Sequence, residues 1–318
     1  EKDQDEGAEG AALEAHARVT GLRLHKPPSE EAKMVQVLAR DRTATVNGLK
    51  LHYLEWGQET SQPMVLLHGL RSYAHAWSEF SRTVQDRYRV IALDQRGRGA
   101  SDWAPDGNYT TEAYVSDLEQ IVSQLHLSRF VLVGHSMGGR NSIVYTARHP
   151  EEVAALVIVD IGPDIDPRGT ERIHQQMLHC PEEFSSMAEA EAHIRRERPN
   201  ITPEAMKVRV EWTLKKLPGG RVGWRYDKAI RDQWRQGIPR PRDEELWPLM
   251  PKLANVPTLL VRGARSDILP QDTARKMLEY LPLGEFVEVP NAAHSVFEDN
   301  PADFNTAVEQ FLKRRLGR

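Results

Sequence analysis

The chain has 318 residues, 40% hydrophobic and 28% charged, with 21 Gly and 20 Pro, the profile of a folded protein rather than a disordered or fibrous one. Its formal charge of −4 supplies no basic field for nucleic acid or anionic lipid, which leaves a small molecule as the expected partner. One cysteine, Cys180, excludes an intramolecular disulfide and fits a reducing, cytoplasmic setting.

No run approaches the roughly 20 apolar residues of a membrane helix. The acidic stretch from Glu1 to Glu9 is not the basic start of a signal peptide, so no retained signal or anchor is expected; with Glu rather than Met at position 1, a removed leader is consistent with the same reading. Residues 1–42 read as an N-terminal extension without strong apolar period. From Thr43 the pattern changes: TATVN and GLKLHYLEW alternate around Asn47-Gly48, a dipeptide suited to a two-residue hairpin. Short, nearly continuous apolar runs follow at 64–67, 90–93, 130–133, 156–159, 258–261 and 286–289, the pattern of parallel strands buried on both faces. Helical patterns lie between them at Thr111–Leu125, Gly139–Arg148, Gln271–Tyr280 and Ala302–Leu316. Strand and helix alternate, which predicts an α/β fold with a doubly wound, mostly parallel sheet.

The alternation breaks after Gly162. Residues 163–247 are charged, rich in Trp and without a convincing strand, and read as a helical lid inserted into a core domain formed by 43–162 and 248–318. Pro163, Pro167, Pro218-Gly219-Gly220 and Pro239-Arg240-Pro241 mark its expected bends.

Gly134-His135-Ser136-Met137-Gly138-Gly139 follows an apolar strand and opens a helical run, the setting in which G-x-S-x-G makes a nucleophile elbow. A sharp turn leaves no room for side chains beside the nucleophile, which explains Gly134 and Gly138, and Ser136 gains the helix N-terminal dipole. A plain glycine-rich turn is the blander reading. A serine hydroxyl needs a base to take its proton, and the base needs a carboxylate to orient it. Among the 12 histidines, His294 follows the last strand; His149, His174, His179 and His193 fall in helices or the lid and read as surface residues. Two aspartates compete for the orienting role, Asp267 after the 258–261 strand and Asp160 ending the 156–159 strand. Both sit at C-terminal strand ends, where ligands bind in open α/β sheets. Asp267 is favoured, with Asp160 as the alternative acid or as a hold on the start of the lid.

Together these residues resemble the α/β-hydrolase superfamily, specifically its lid-bearing, cofactor-free serine esterase and lactonase-like members. The resemblance covers residues 43–316 and includes His68-Gly69 after the early strand, the segment from Asp94 to Asp102 (DQRGRGASD), the GHSMGG elbow, Asp160-Ile161-Gly162-Pro163, RGARSD and the late NAAH. The chain order Ser, Asp, His is the family's. It implies backbone amides of Leu70 and Met137 as an oxyanion hole, a structural His68, and Asp94 and Asp102 as architecture. Ser136 in place of an aspartate nucleophile disfavours dehalogenase and epoxide hydrolase chemistry. The first loop, His68 to Tyr73, also lacks the glycine- and proline-rich form of the carbon-carbon bond hydrolases and proline iminopeptidases. Hydrolysis of small to medium esters or lactones remains, with carbamates and amides as neighbours; receptor-like ligand binding or acyl transfer on the same scaffold are the rivals.

Trp77, Trp212 and Trp234, with Trp103, Trp224 and Trp247, either line an apolar pocket or pack the lid. Arg71 either approaches the pocket mouth, favouring an anionic or carbonyl-rich substrate, or faces solvent. Arg195-Arg196-Glu197-Arg198 and Lys313-Arg314-Arg315 read as solvated helix faces. Cys180 has no partner at metal-ligand spacing, so neither a metal nor a cofactor is expected. No sequence feature speaks to the oligomeric state.

Overall fold

The computed structural model describes residues 39–236 and 245–317. The expected extension therefore lies outside the described residues except at its end, where the first strand begins three residues earlier than the pattern suggested; the bend at Pro239-Arg240-Pro241 also lies outside. Strands β1 (Arg40–Val46) and β2 (Leu49–Trp56) form the expected antiparallel hairpin. Asn47 and Gly48 both adopt positive φ, 51° and 77°, as a primed two-residue turn requires.

The remaining strands of the main sheet are β3 (Gln62–Leu67), β4 (Tyr88–Leu93), β5 (Phe130–His135), β6 (Val153–Val159), and, after the inserted segment, Thr258–Gly263 and Gly284–Val289. These last two are β10 and β11, because the insertion adds β7 (Glu183–Phe184), β8 (Leu214–Lys216) and β9 (Val222–Trp224). The eight-stranded sheet has the order β1-β2-β4-β3-β5-β6-β10-β11 and is parallel from β4 onward. Every apolar run singled out above lies within one of its strands.

The continuous apolar character of these strands follows from burial on both faces. In β3, Val65 and Leu67 enter one core, with Leu118, Ile121, Ile143 and Met277. Met64 and Leu66 enter the other, with Trp77, Phe80, Phe304 and Phe311. The helices covering the sheet are α1 (Ser78–Val84), α2 (Thr111–Gln124), α3 (Met137–Arg148) and, near the chain's end, Gln271–Glu279, Val296–Asp299 and Pro301–Leu316. The Thr110 side chain caps α2 by accepting from the Ala113 N–H, and Asn300 caps the last helix by accepting from the Asp303 N–H.

The segment from 163 to 247 contains α4 (Pro167–Leu178), α5 (Met187–Glu197), α6 (Pro203–Thr213) and α7 (Lys228–Arg235). It also contains the small antiparallel sheet β7-β9-β8, which corrects the expectation of a segment without strands. These strands are two or three residues long, too short to show a period of two. The segment has an apolar core of its own, in which Met177, Phe184, Ile194, Met206, Trp224 and Ile230 meet Ala104, Tyr109 and Tyr114 of the main domain. Among the described residues no helix is long and apolar enough to cross a membrane.

Candidate active site

Ser136 stands between β5 and α3 with φ 53° and ψ −118°, a strained conformation for a residue bearing a side chain. The turn around it is tight. A Cβ at Gly134 would lie 2.3 Å from the Ser142 hydroxyl and 2.4 Å from the Gly138 carbonyl oxygen, and one at Gly138 would lie 2.4 Å from the Leu67 carbonyl oxygen. The glycines of the motif therefore answer to space, as the sequence suggested.

His294 lies in the loop after β11 and meets Ser136 with Nε2 2.9 Å from Oγ. Its Nδ1–H donates to Asp160 Oδ2 at 2.8 Å. The carboxylate of Asp160, wholly buried, also accepts from the Ser266 hydroxyl at 2.5 Å and the Gly263 N–H at 3.1 Å. Because a carboxylate only accepts, the Asp160 contact fixes the proton on Nδ1 and leaves Nε2 to accept the Ser136 proton. Burial, and after it the charges of Arg172 and Arg198, lower the pKa of His294 to about 3, so the imidazole is neutral at pH 7. Burial pushes the Asp160 carboxyl up, opposed by the Ser266 and Gly263 donors and by Arg262.

The favoured pairing of His294 with Asp267 is corrected by this geometry. Asp267 accepts two hydrogen bonds from Arg172 of α4, Nε to Oδ2 at 2.6 Å and Nη2 to Oδ1 at 2.7 Å, and Arg172 holds its carboxyl below the usual range. It ties the inserted segment to the main domain, and Asp160, just after the adjacent strand β6, takes the position beside the histidine.

The loop after β3 approaches the elbow so closely that a Cβ at Gly69 would lie 3.3 Å from the Ser136 Cβ. The Leu70 carbonyl accepts from Arg98 Nε at 3.1 Å, which anchors this loop, and Met137 is the first residue of α3. His68 is fully buried, accepts the Gln95 N–H on Nε2 at 3.1 Å and donates from Nδ1 to the Gly69 carbonyl at 2.8 Å; burial lowers its pKa to about 4. Asp94 accepts from Ala74 N, His52 Nδ1 and Ala100 N, and Asp102 from Lys50 N, contacts that hold loops together.

A cavity of about 270 Å³ opens beside Ser136 and His294. The inserted segment contributes Arg172, Ile173, Gln176, Glu197 and Arg198, and the main domain Leu70, Arg71, Arg265, Asp267 and Asp299. None of the tryptophans proposed as pocket residues lines it. Trp77 is fully buried and stacked on Phe297 at 4.1 Å, Trp212 stacks on His75 at 3.6 Å, and Trp234 lies against His174 at 5.7 Å. Arg71 does line it: it is largely buried, not solvent-facing, and paired with Glu197 at 2.9 Å. His193 is likewise no surface residue, since it lies 3.4 Å from Glu197 with little exposure.

Sequence reasoning missed Ser266, Arg172 and Arg198. Arg198 belongs to a basic run with the pattern of a solvated helix face, but that run divides: Arg195 is exposed and bonded to Glu191, while Glu197 and Arg198 turn into the cavity. The only grouping among the described residues that could hold a metal ion, His149, Glu151 and Glu152, is not part of the cavity lining.

A family model described as the alpha/beta hydrolase fold matches residues 62–197. The chain is 29% identical over 251 residues to 2-(acetamidomethylene)succinate hydrolase of Mesorhizobium japonicum, covering 78% of this chain and 87% of that protein. It is 29% identical over 274 residues to the 3-hydroxybutyrate-oligomer hydrolase of Cupriavidus necator, covering 82% and 92%. The crystal structure of an alpha/beta hydrolase from Novosphingobium aromaticivorans superposes with a TM-score of 0.77 at 30% identity, covering 87% of this chain and 98% of that one. The sheet order, the strained serine between strand and helix, and these matches agree. The chain belongs to the α/β-hydrolase superfamily, and its relatives include hydrolases.

Proposed function

We propose that this protein is a serine hydrolase that cleaves carboxylic esters or lactones of small to medium molecules through an acyl-enzyme, using Ser136, His294 and Asp160. The observation that carries this reading is the hydrogen-bonded chain from Ser136 Oγ through the two nitrogens of His294 to Asp160, with the imidazole held neutral by burial. Ser136 Oγ attacks the substrate carbonyl carbon while its proton passes to His294 Nε2. The imidazolium so formed is stabilised by Asp160 and returns the proton to the departing alkoxide. Water, deprotonated by the same nitrogen, then attacks the acyl carbon and releases the acid and the free serine. The amides of Leu70 and Met137 hold the oxyanion in both steps, each contributing about 3 kcal/mol of barrier lowering. The inserted segment serves as the lid over the cavity.

The cavity volume suits a short acyl group, and relatives named for hydrolysis support the reaction class. The test is turnover of p-nitrophenyl acetate and butyrate, alongside the matching p-nitroanilides, by the wild type and Ser136→Ala. Ester turnover abolished by the substitution, with anilides cleaved far more slowly, is expected. Full activity in a purified Ser136→Ala sample, or preferential anilide cleavage, would overturn the mechanism or the bond class respectively.

A further inference from the structure

The charges around the cavity are not balanced. Four arginines line it, Arg71, Arg172, Arg198 and Arg265, against three carboxylates, Glu197, Asp267 and Asp299. Arg172 is matched by Asp267 through two hydrogen bonds. Arg71 is matched by Glu197, a carboxylate that also faces His193. The Asp299 carboxyl, which accepts from the Ala293 N–H, is pushed up to about 6 by burial, which makes it the weakest of the three anions.

Arg198 is the least satisfied of the four among those shielded from solvent. Among the described residues the one carboxylate within ion-pair distance of it, Glu298, is already engaged by Arg209, Nη2 to Oε1 at 2.7 Å and to Oε2 at 2.8 Å, with Nε to Oε1 at 3.1 Å. Arg198 reaches Glu298 with Nη1 alone, at 3.3 Å, and the same Nη1 donates to the Ser295 hydroxyl. Its Nε and Nη2 have no hydrogen-bond partner among the described residues. One flank of a guanidinium thus anchors the side chain to the residue after His294, and the other flank is left as two parallel donors on a residue that lines the same cavity as Ser136. Two parallel N–H donors match the two oxygens of a carboxylate, and a partly buried cation with unused donors is costly unless an anion completes it.

We propose that the Nε/Nη2 edge of Arg198 binds a substrate carboxylate, so that the preferred substrates are small esters carrying a carboxylate in addition to the scissile group. This rests on the serine hydrolase reading for the reaction and on the Arg198 geometry for the specificity. The shared chemistry is a carboxylate a few bonds from the ester, on either its acyl or its alcohol side.

The test compares kcat/KM for mono-4-nitrophenyl glutarate with 4-nitrophenyl pentanoate, and for 4-acetoxybenzoate with 4-methylphenyl acetate. At least one pair should favour the anionic member by about tenfold to a hundredfold, the range of a bidentate charge-assisted contact. The pair that does so identifies the side bearing the carboxylate. Arg198→Met should bring that ratio toward one through KM, and Arg198→Lys should restore part of it, with thermal melts showing both variants folded. Binding of glutarate and 4-hydroxybenzoate to Ser136→Ala, followed by calorimetry, should weaken by a similar factor when Arg198→Met is added. Absence of preference in both pairs, or a preference undiminished in Arg198→Met, overturns the proposal while leaving the hydrolase intact. Should no ester be turned over, the calorimetric comparison still decides Arg198, and it is the reaction that fails.

Discussion

Replacing Asp160 by Asn separates the two candidate acids. The Asp160 carboxylate is wholly buried and accepts from His294 Nδ1, the Ser266 hydroxyl and the Gly263 N–H. An amide of the same shape fills the space but turns one acceptor into a donor, which forces either His294 into the wrong tautomer or a buried donor against another donor. An orphaned buried polar group costs about 1–3 kcal/mol of stability, and losing the tautomer costs about 10⁴ in kcat, or about 5 kcal/mol of transition-state stabilisation. Asn tolerates the positive φ of 53° at this position, so the variant should fold. Asp267→Asn, by contrast, weakens an ion pair whose two side chains are 32% and 37% exposed, worth about 1 kcal/mol or less, and leaves the Ser136-His294-Asp160 chain untouched. Steady-state hydrolysis of p-nitrophenyl butyrate, with melting curves for both variants, should show a loss of about 10⁴ in kcat for Asp160→Asn and a change within about tenfold for Asp267→Asn. The opposite order would refute the geometry as the basis of catalysis and return the acid role to Asp267.

Two further outcomes follow from buried groups and close packing. Burial lowers His68 and His75 to about 4 and His294 to about 3, so below pH 6.5 the unfolded chain takes up protons that the folded chain refuses, and stability falls by about 1.4 kcal/mol per pH unit for each such histidine. His193, raised to about 9, works in the other direction: its contribution is complete below pH 6.5 and is lost as pH rises toward 9. Urea titrations should find stability dropping between pH 6 and 4; stability unchanged across that window would contradict buried neutral histidines. A Cβ at Gly169 would lie 1.9 Å from the Asp267 carbonyl oxygen, so Gly169→Ala must push α4 off the main domain, and a lower melting temperature together with a raised KM is expected. An unchanged KM would separate this contact from the cavity.

Much of the fold was legible because burial on both faces writes itself into strands as unbroken apolar runs, as at 130–133 and 156–159. The elbow was legible for a related reason: Gly134 and Gly138 are positions where contacts below 2.5 Å to backbone or side-chain oxygen exclude any Cβ. The choice between Asp160 and Asp267 was not, since both follow adjacent parallel strands whose ends pair Val159 with Val261. What separates them is Arg172, a residue of the insertion that occupies Asp267 from across the cavity, and a contact between residues 95 positions apart leaves no mark on local pattern. The tryptophans misled because their size suits both a pocket and a lid's own packing, and Trp77 is taken up by Phe297 and Phe80. Arg198 carried the signal of a solvated helix end, yet it follows the last residue of α5, where the chain turns inward.

The central claim, attack by Ser136 to give an acyl-enzyme, is tested most directly by quenching the reaction with p-nitrophenyl acetate in acid within milliseconds and locating the acyl group by peptide mass spectrometry. The account predicts an acetyl group on the Ser136 hydroxyl that forms with the burst of p-nitrophenol, decays at the turnover rate and is absent from Ser136→Ala. Turnover with the acetyl group on another side chain, or a burst that persists in Ser136→Ala, would contradict it.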